Sequence, residues 1–188
     1  MSVASPPRAA WLRPLPAVVA EEIGRRRRAI LAAVGDRGRV LDLDDPAFAG
    51  LIDGTAEGDP EDGVAFDLIV STGRLVGAPD LLWTLRALVA RLAPHGELVA
   101  VEPVGRSGTI GLLAASLGAC LPGVDGLHLS RDVPATVRAA GLTVVDVERF
   151  VVPTWLWPLR HVVQLRAIRL PAALPGPAPA VAGSEPKP

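Results

Sequence analysis

Between positions 66 and 101 the chain reads strand, helix, strand, and no other stretch restricts the fold so tightly. Residues 66–71 (FDLIVS) form a nearly continuous apolar run, the pattern of a strand covered on both faces. Pro79 and Asp80 then open an amphipathic helix over 80–92. Its apolar face carries Leu81, Leu82, Leu85, Leu88, Val89 and Leu92, with Asp80 as the cap. Residues 93–96 (APHG) stop the helix, and 97–101 (ELVAV) is a second buried strand. Two such strands joined by a helix lie parallel, because a parallel pair needs a long crossover and its faces need covering layers. The chain is therefore expected to build an α/β layer rather than a helical bundle or a β-sandwich.

The flanks extend the pattern. Residues 17–34 suit a helix, with Val18, Val19, Ile23, Ile30, Leu31 and Val34 at a partly helical period. Residues 39–44 (RVLDLD) are a short strand. A helix is expected at 108–121 and another at 131–140, capped by Ser130 and stopped by Gly141. Residues 142–152 and 161–170 are strands with no helix between them. Pro153 and Pro158 fall in the connection, so an antiparallel, hairpin-like end to the sheet is expected. Residues 1–16 read as a flexible arm and 171–188 as a disordered Pro/Ala-rich tail, which leaves 17–170 as one domain.

Charge and composition exclude some functions. The net charge of −1 gives no electrostatic case for binding nucleic acid. The run Arg25–Arg28 has no interleaved aromatics and reads as a solvated helix face. The stretch 107–124 is uncharged, but Gly and Pro interrupt it well short of the roughly 20 apolar residues that span a bilayer. No membrane span is expected. The single cysteine, Cys120, allows no internal disulfide and fits a cytoplasmic location. The three histidines are too far apart in sequence for a metal motif.

The block 66–103 resembles the central half of class I S-adenosylmethionine-dependent methyltransferases of the type 11 kind. There a strand opening Phe-Asp leads through a short loop and a helix to a Pro-x-Gly turn and a strand ending Glu-Pro. Pro94-His95-Gly96 and Glu102-Pro103 match those points, with His95 where the family has another glycine. The helix before Gly141-Leu142, and the first strand Arg39-Val40-Leu41-Asp42-Leu43, fit as well. The resemblance implies a Rossmann-like three-layer sandwich, mainly parallel, with an antiparallel C-terminal strand.

One part of the family pattern is missing. After its first strand the family has a Gly-x-Gly-x-Gly loop, whose missing Cβ atoms let the backbone approach the cofactor. Here Leu43 is followed by Asp44-Asp45-Pro46, and no glycine appears before Gly50. A helix with its return strand needs about 20 residues or more, so the front half of the sheet is expected to be shortened.

Within that frame the resemblance places cofactor contacts at Asp42 and Asp44, Thr55 and Glu57, and Ser71 and Thr72. Asp42 and Asp44 end the first strand, near the cofactor's amino-acid end. Thr55 and Glu57 precede the Phe-Asp strand, on the adenosine side. Ser71 and Thr72 follow that strand and face the sulfur or the acceptor. Each also has a plain structural role: Asp44 and Asp45 suit the cap of a short helix at 46–52, and Ser71 and Thr72 suit a turn. His128 is the candidate general base on the acceptor side. Trp155 and Trp157 sit in the most apolar loop and could cover an acceptor, meet a partner or close the sheet edge.

The implied activity is methyl transfer from S-adenosyl-L-methionine to a small, apolar metabolite. The alternative is an inactive homologue that binds or dimerises, as a homodimer or with a paralogue.

Overall fold

The computed structural model describes residues 17–34, 38–45, 65–105, 127–154 and 159–170. Among these, five strands form one sheet: β1 (Val40–Asp42), β2 (Phe66–Thr72), β3 (Leu92–Pro103), β4 (Thr143–Val151) and β5 (His161–Ile168). Their spatial order is β1-β2-β3-β5-β4. β1, β2 and β3 are parallel neighbours, whereas β5 lies antiparallel to both β3 and β4. The helices are α1 (Ala17–Val34), α2 (Leu81–Arg91) and α3 (Val133–Ala139), with a 3-10 turn at Leu75–Gly77. The three-layer, mainly parallel sandwich is therefore present, with its reversed strand last in sequence.

The side-chain alternation of β2 explains the layers. Ile69 points with Leu98, Ala100, Leu165 and Ala167 into the larger core, beneath Leu85 and Leu88 of α2 and Val137 of α3. Leu68 and Val70 point the other way with Val99, against Ile30, Leu31 and Val34 of α1. Both faces are covered, so the strand needs no polar side and its sequence reads as a continuous apolar run.

Helix α1 is also fastened at its middle. Arg26 donates to Glu148 (2.8 and 3.0 Å) and to Gln164 (2.8 Å), and its guanidinium stacks 3.6 Å from the Phe150 ring centroid. Arg25 pairs with Glu22 one turn away. The basic run is thus only partly a solvated face: Arg26 crosses to β4 and β5, and Arg27 turns inward.

Element ends differ from the expectation in three places. The first strand keeps only Val40–Asp42, because residues 43–45 turn away. The third strand starts at Leu92 rather than 97: Leu92 pairs with Phe66, Glu97 with Leu68, and the residues between bulge out. In that bulge His95 has a φ of 68°, a conformation costing a residue with a Cβ about 1 kcal/mol, and the N–H of His95 donates to Arg169 O (3.1 Å). Gly96 is needed for space, since a Cβ there would lie 2.9 Å from the carbonyl oxygens of Ala93 and Phe66.

The third difference is a cap. Asp80 caps α2 as expected, accepting from Trp83 N (2.9 Å). For α3 the cap is Asp132, not Ser130: its carboxylate accepts from Ala135 N (3.0 Å), and the helix is Val133–Ala139 instead of 131–140. Pro134 selects this register, because proline is tolerated only in the first turn. Asp132→Ala should therefore cost about 1 kcal/mol in urea unfolding, and Ser130→Ala almost nothing. Equal losses from the two variants would return the cap to Ser130.

The expected helices at 108–121 and 46–52, the terminal arm and tail, and Cys120, Trp155 and Trp157 lie outside the described residues. Among the described residues no helix is long and apolar enough to cross a membrane.

Candidate functional site

Parallel strands converge their functional side chains at the carboxyl edge, where helices and loops leave the sheet. β1 and β2 align in register, Asp42 beside Val70, and the N–H of Leu43 continues the ladder to Val70 O at 2.9 Å. Asp42 and Ser71 therefore share one edge.

Both edge aspartates carry an arginine. Arg27 of α1 donates to Asp42 Oδ2 through Nε (2.9 Å) and again through its second amino group. The other oxygen of Asp42 accepts from the N–H of Asp44 (3.0 Å). Arg74, just past β2, donates through Nε to Asp44 Oδ1 (2.6 Å), and Arg27 Nε lies 3.6 Å from Asp44 Oδ2. Burial raises the Asp44 carboxyl pKa more than the Arg74 hydrogen bond lowers it. The hydrogen bond from Arg27 to Asp42 in turn raises the guanidinium pKa.

The second half of the edge is organised by Glu102 at the end of β3. Its side chain is fully buried. Oε1 accepts from Ser71 Oγ (2.6 Å) and Leu75 N (3.3 Å), and Oε2 accepts from Val76 N (3.2 Å). Burial pushes the Glu102 carboxyl up to about 7, opposed by the three donors and aided by the charge of Asp44. The carboxylate thus ties β2, β3 and the 3-10 turn together. Val76 O then accepts the N–H of His128 (2.8 Å), bringing the 127–131 loop to the same turn. The guanidinium of Arg131 closes that loop over the carbonyls of Ala78 and Pro79.

Asp42, Asp44, Ser71 and Thr72 are brought to one edge, with His128 held beside it through its backbone. Thr72 is buried, and the His128 residue is exposed. Burial, with the charge of Arg131, lowers the imidazole pKa. Thr55 and Glu57 lie outside the described residues. Sequence reasoning did not single out Arg27, Arg74 or Glu102 as site residues. Glu102 was visible as the one acid inside an otherwise apolar strand end (LVAVEP). Among the described residues no group of three His, Cys, Asp or Glu side chains could hold a metal ion.

These residues can be tested against S-adenosylmethionine. Its ammonium and ribose hydroxyls need acceptors, and its sulfonium favours a negative surround. Both oxygens of Asp42 and Oδ1 of Asp44 are already engaged by Arg27, Arg74 and one backbone amide, and the two guanidinium groups oppose the charge of these acids. Ser71 gives its hydroxyl proton to Glu102. As arranged, the described edge does not fit the cofactor.

No protein-family model matches the chain, and no curated protein matches it in sequence. Solved structures do match. A protein from Galdieria sulphuraria assigned as a methyltransferase is 11% identical, with 84% of this chain and 92% of that one covered at a TM-score of 0.54. The N-methyltransferase NodS from Bradyrhizobium japonicum, in complex with S-adenosyl-L-homocysteine, is 15% identical, with 85% and 94% covered and a TM-score of 0.51. A SAM-dependent methyltransferase from Thermotoga maritima is 13% identical, with 81% and 98% covered and a TM-score of 0.50. At such identities the likeness is one of fold: the chain has the class I methyltransferase fold.

Proposed function

We propose that this chain is a methyltransferase-like protein that keeps the fold as a non-catalytic binding or dimerisation module. One observation carries the reading: the strand-end acids Asp42 and Asp44 are already paired from within, by Arg27 and Arg74. Fold alone does not confer the chemistry, which depends on the groups presented at the site. An edge whose strand-end acids are held in ion pairs presents a fixed surface, suited to a partner or a neutral ligand rather than to a sulfonium.

A second reading, methyl transfer from S-adenosylmethionine to a small, apolar acceptor, is favoured by the strand order and the fold likeness. Thermal unfolding with S-adenosylmethionine and S-adenosylhomocysteine decides between them. A ligand at a hundredfold its Kd would add about 2.7 kcal/mol of stability. The non-catalytic reading expects no shift at about 1 mM of either compound, where even a Kd of about 10 μM would give that effect. A saturable shift would sink it and restore methyl transfer. Sedimentation across a concentration series separates the two forms of module: a mass that rises with concentration selects dimerisation.

A further inference from the structure

On the opposite end of the sheet from the carboxyl edge, the α1 face opens into a cleft of about 490 Å³. We propose that this cleft binds a small apolar molecule with a cationic head. The volume falls within the roughly 300–1,000 Å³ typical of small-molecule sites. Its floor is Leu68 and Val99 on adjacent strands, and Ile30 and Val34 of α1 form one wall. Among the described residues α1 is the only helix on this face, and the lower halves of β5 and β4 extend beyond its cover.

The charge pattern of the rim selects the head group. Val99, Arg166 and Asp146 stand in one cross-strand row, directly opposite one another on β3, β5 and β4. Arg166 could answer either of two acids. It forks onto Glu97 instead, with Nε 3.0 Å from Oε2 and a second bond from its terminal amino group. Glu97 is thereby neutralised. Asp146 acts on Arg166 only through its charge, and among the described residues no hydrogen bond reaches its carboxylate. The remaining acid, Asp67, accepts the N–H of Arg39 (2.9 Å). Among the described residues the rim therefore keeps a net negative charge beside an apolar floor.

A second, independent feature points to the same cleft. His95 lines it while holding the positive φ that a glycine would take without cost. Backbone strain of this kind concentrates where a side chain is used. An imidazole at the mouth supplies a hydrogen-bonding partner and a flat wall for an apolar body. The cleft is separate from the Asp42–Glu102 edge, so this inference stands whichever reading of that edge holds.

Titration with 2-phenylethylammonium, and with 3-phenylpropionate as the control of similar shape and opposite charge, tests it. Heteronuclear NMR shifts give both affinity and location. The ammonium probe should saturate, with shifts confined to the end of α1, the starts of β2 and β3, and the stretches around Asp146 of β4 and Gln164–Arg166 of β5, and bind at least about tenfold more tightly than the carboxylate. Asp146→Asn, at an exposed site, should weaken the ammonium about tenfold. His95→Gly should hold or raise the melting temperature, since it relieves the strain, and still weaken binding. No saturation up to about 10 mM, a Kd worth only about 2.7 kcal/mol, overturns the proposal. So do equal affinities for the two probes, an Asp146→Asn affinity equal to the parent's, or shifts that map to Asp42 and Ser71 instead.

Discussion

Glu102→Ala is expected to lower folding stability by about 3 kcal/mol or more in urea unfolding near pH 5. The substitution removes a fully buried acceptor and strands three donors: the Ser71 hydroxyl and the N–H groups of Leu75 and Val76. Each would remain out of water without a partner, which is the expensive case. Glu102→Gln keeps one acceptor oxygen and should lose less, but it should alter the pH response. The folded carboxyl pKa is raised from 4.5 to about 7, so the native state holds that proton more tightly than the unfolded chain. Its stabilising contribution is therefore complete below about pH 4.5 and is lost as pH rises through about 7. The size is about 3 kcal/mol, at roughly 1.4 kcal/mol per pKa unit. Comparing urea midpoints of the parent and Glu102→Gln from pH 4.5 to 8 isolates this group from the other carboxylates. Parallel curves for the two proteins would refute the linkage.

Leu165→Ala should be comparably severe, about 2–5 kcal/mol. Leu165 is fully buried, stands between Ala100 of β3 and Val147 of β4, and belongs to the core beneath α2 and α3. Neighbours held on both sides by strand pairing cannot collapse into the space left behind, so most of the cavity would persist. Val151→Ala on the outer strand, 53% exposed, should change stability by no more than about 0.5 kcal/mol. The contrast measures strand order. If β5 were the outer strand, the two effects would approach each other, and urea denaturation would show it.

The same two strands mark how far sequence reasoning reached. β2 and α2 were legible because burial on two faces, or on one helical stripe, leaves a pattern within a single segment. That 142–152 and 161–170 would form an antiparallel end followed from their short connection. The insertion of β5 between β3 and β4 did not, because alternation records which face is buried and not which neighbour is paired.

At the edge, strand order accounts for the nearness of Asp42, Asp44, Ser71 and Thr72. It does not account for their partners, since Arg27 reaches Asp42 across 15 positions and Arg74 reaches Asp44 across 30. Ion pairs of that span leave no periodic trace. Glu102 stood out chemically, yet its meaning depended on donors from 71 and 75–76 that only the turn brings together. The cap of α3 was expected at Ser130, two positions before Asp132, and Pro134 was the overlooked discriminator.

The clasp formed by Arg26 has a consequence for how the chain is made. The earliest described element is seated on Glu148 and Gln164, 122 and 138 positions later in the sequence. During synthesis Ile30, Leu31 and Val34 of α1 can meet β2 and β3 first, whereas Arg26, and Val19 and Ile23 that pack with Val152 and Val162, must wait until the closing hairpin arrives. Completion of the domain is thus tied to the emergence of its final strands, and a nascent chain stalled short of them holds its leading helix only half seated.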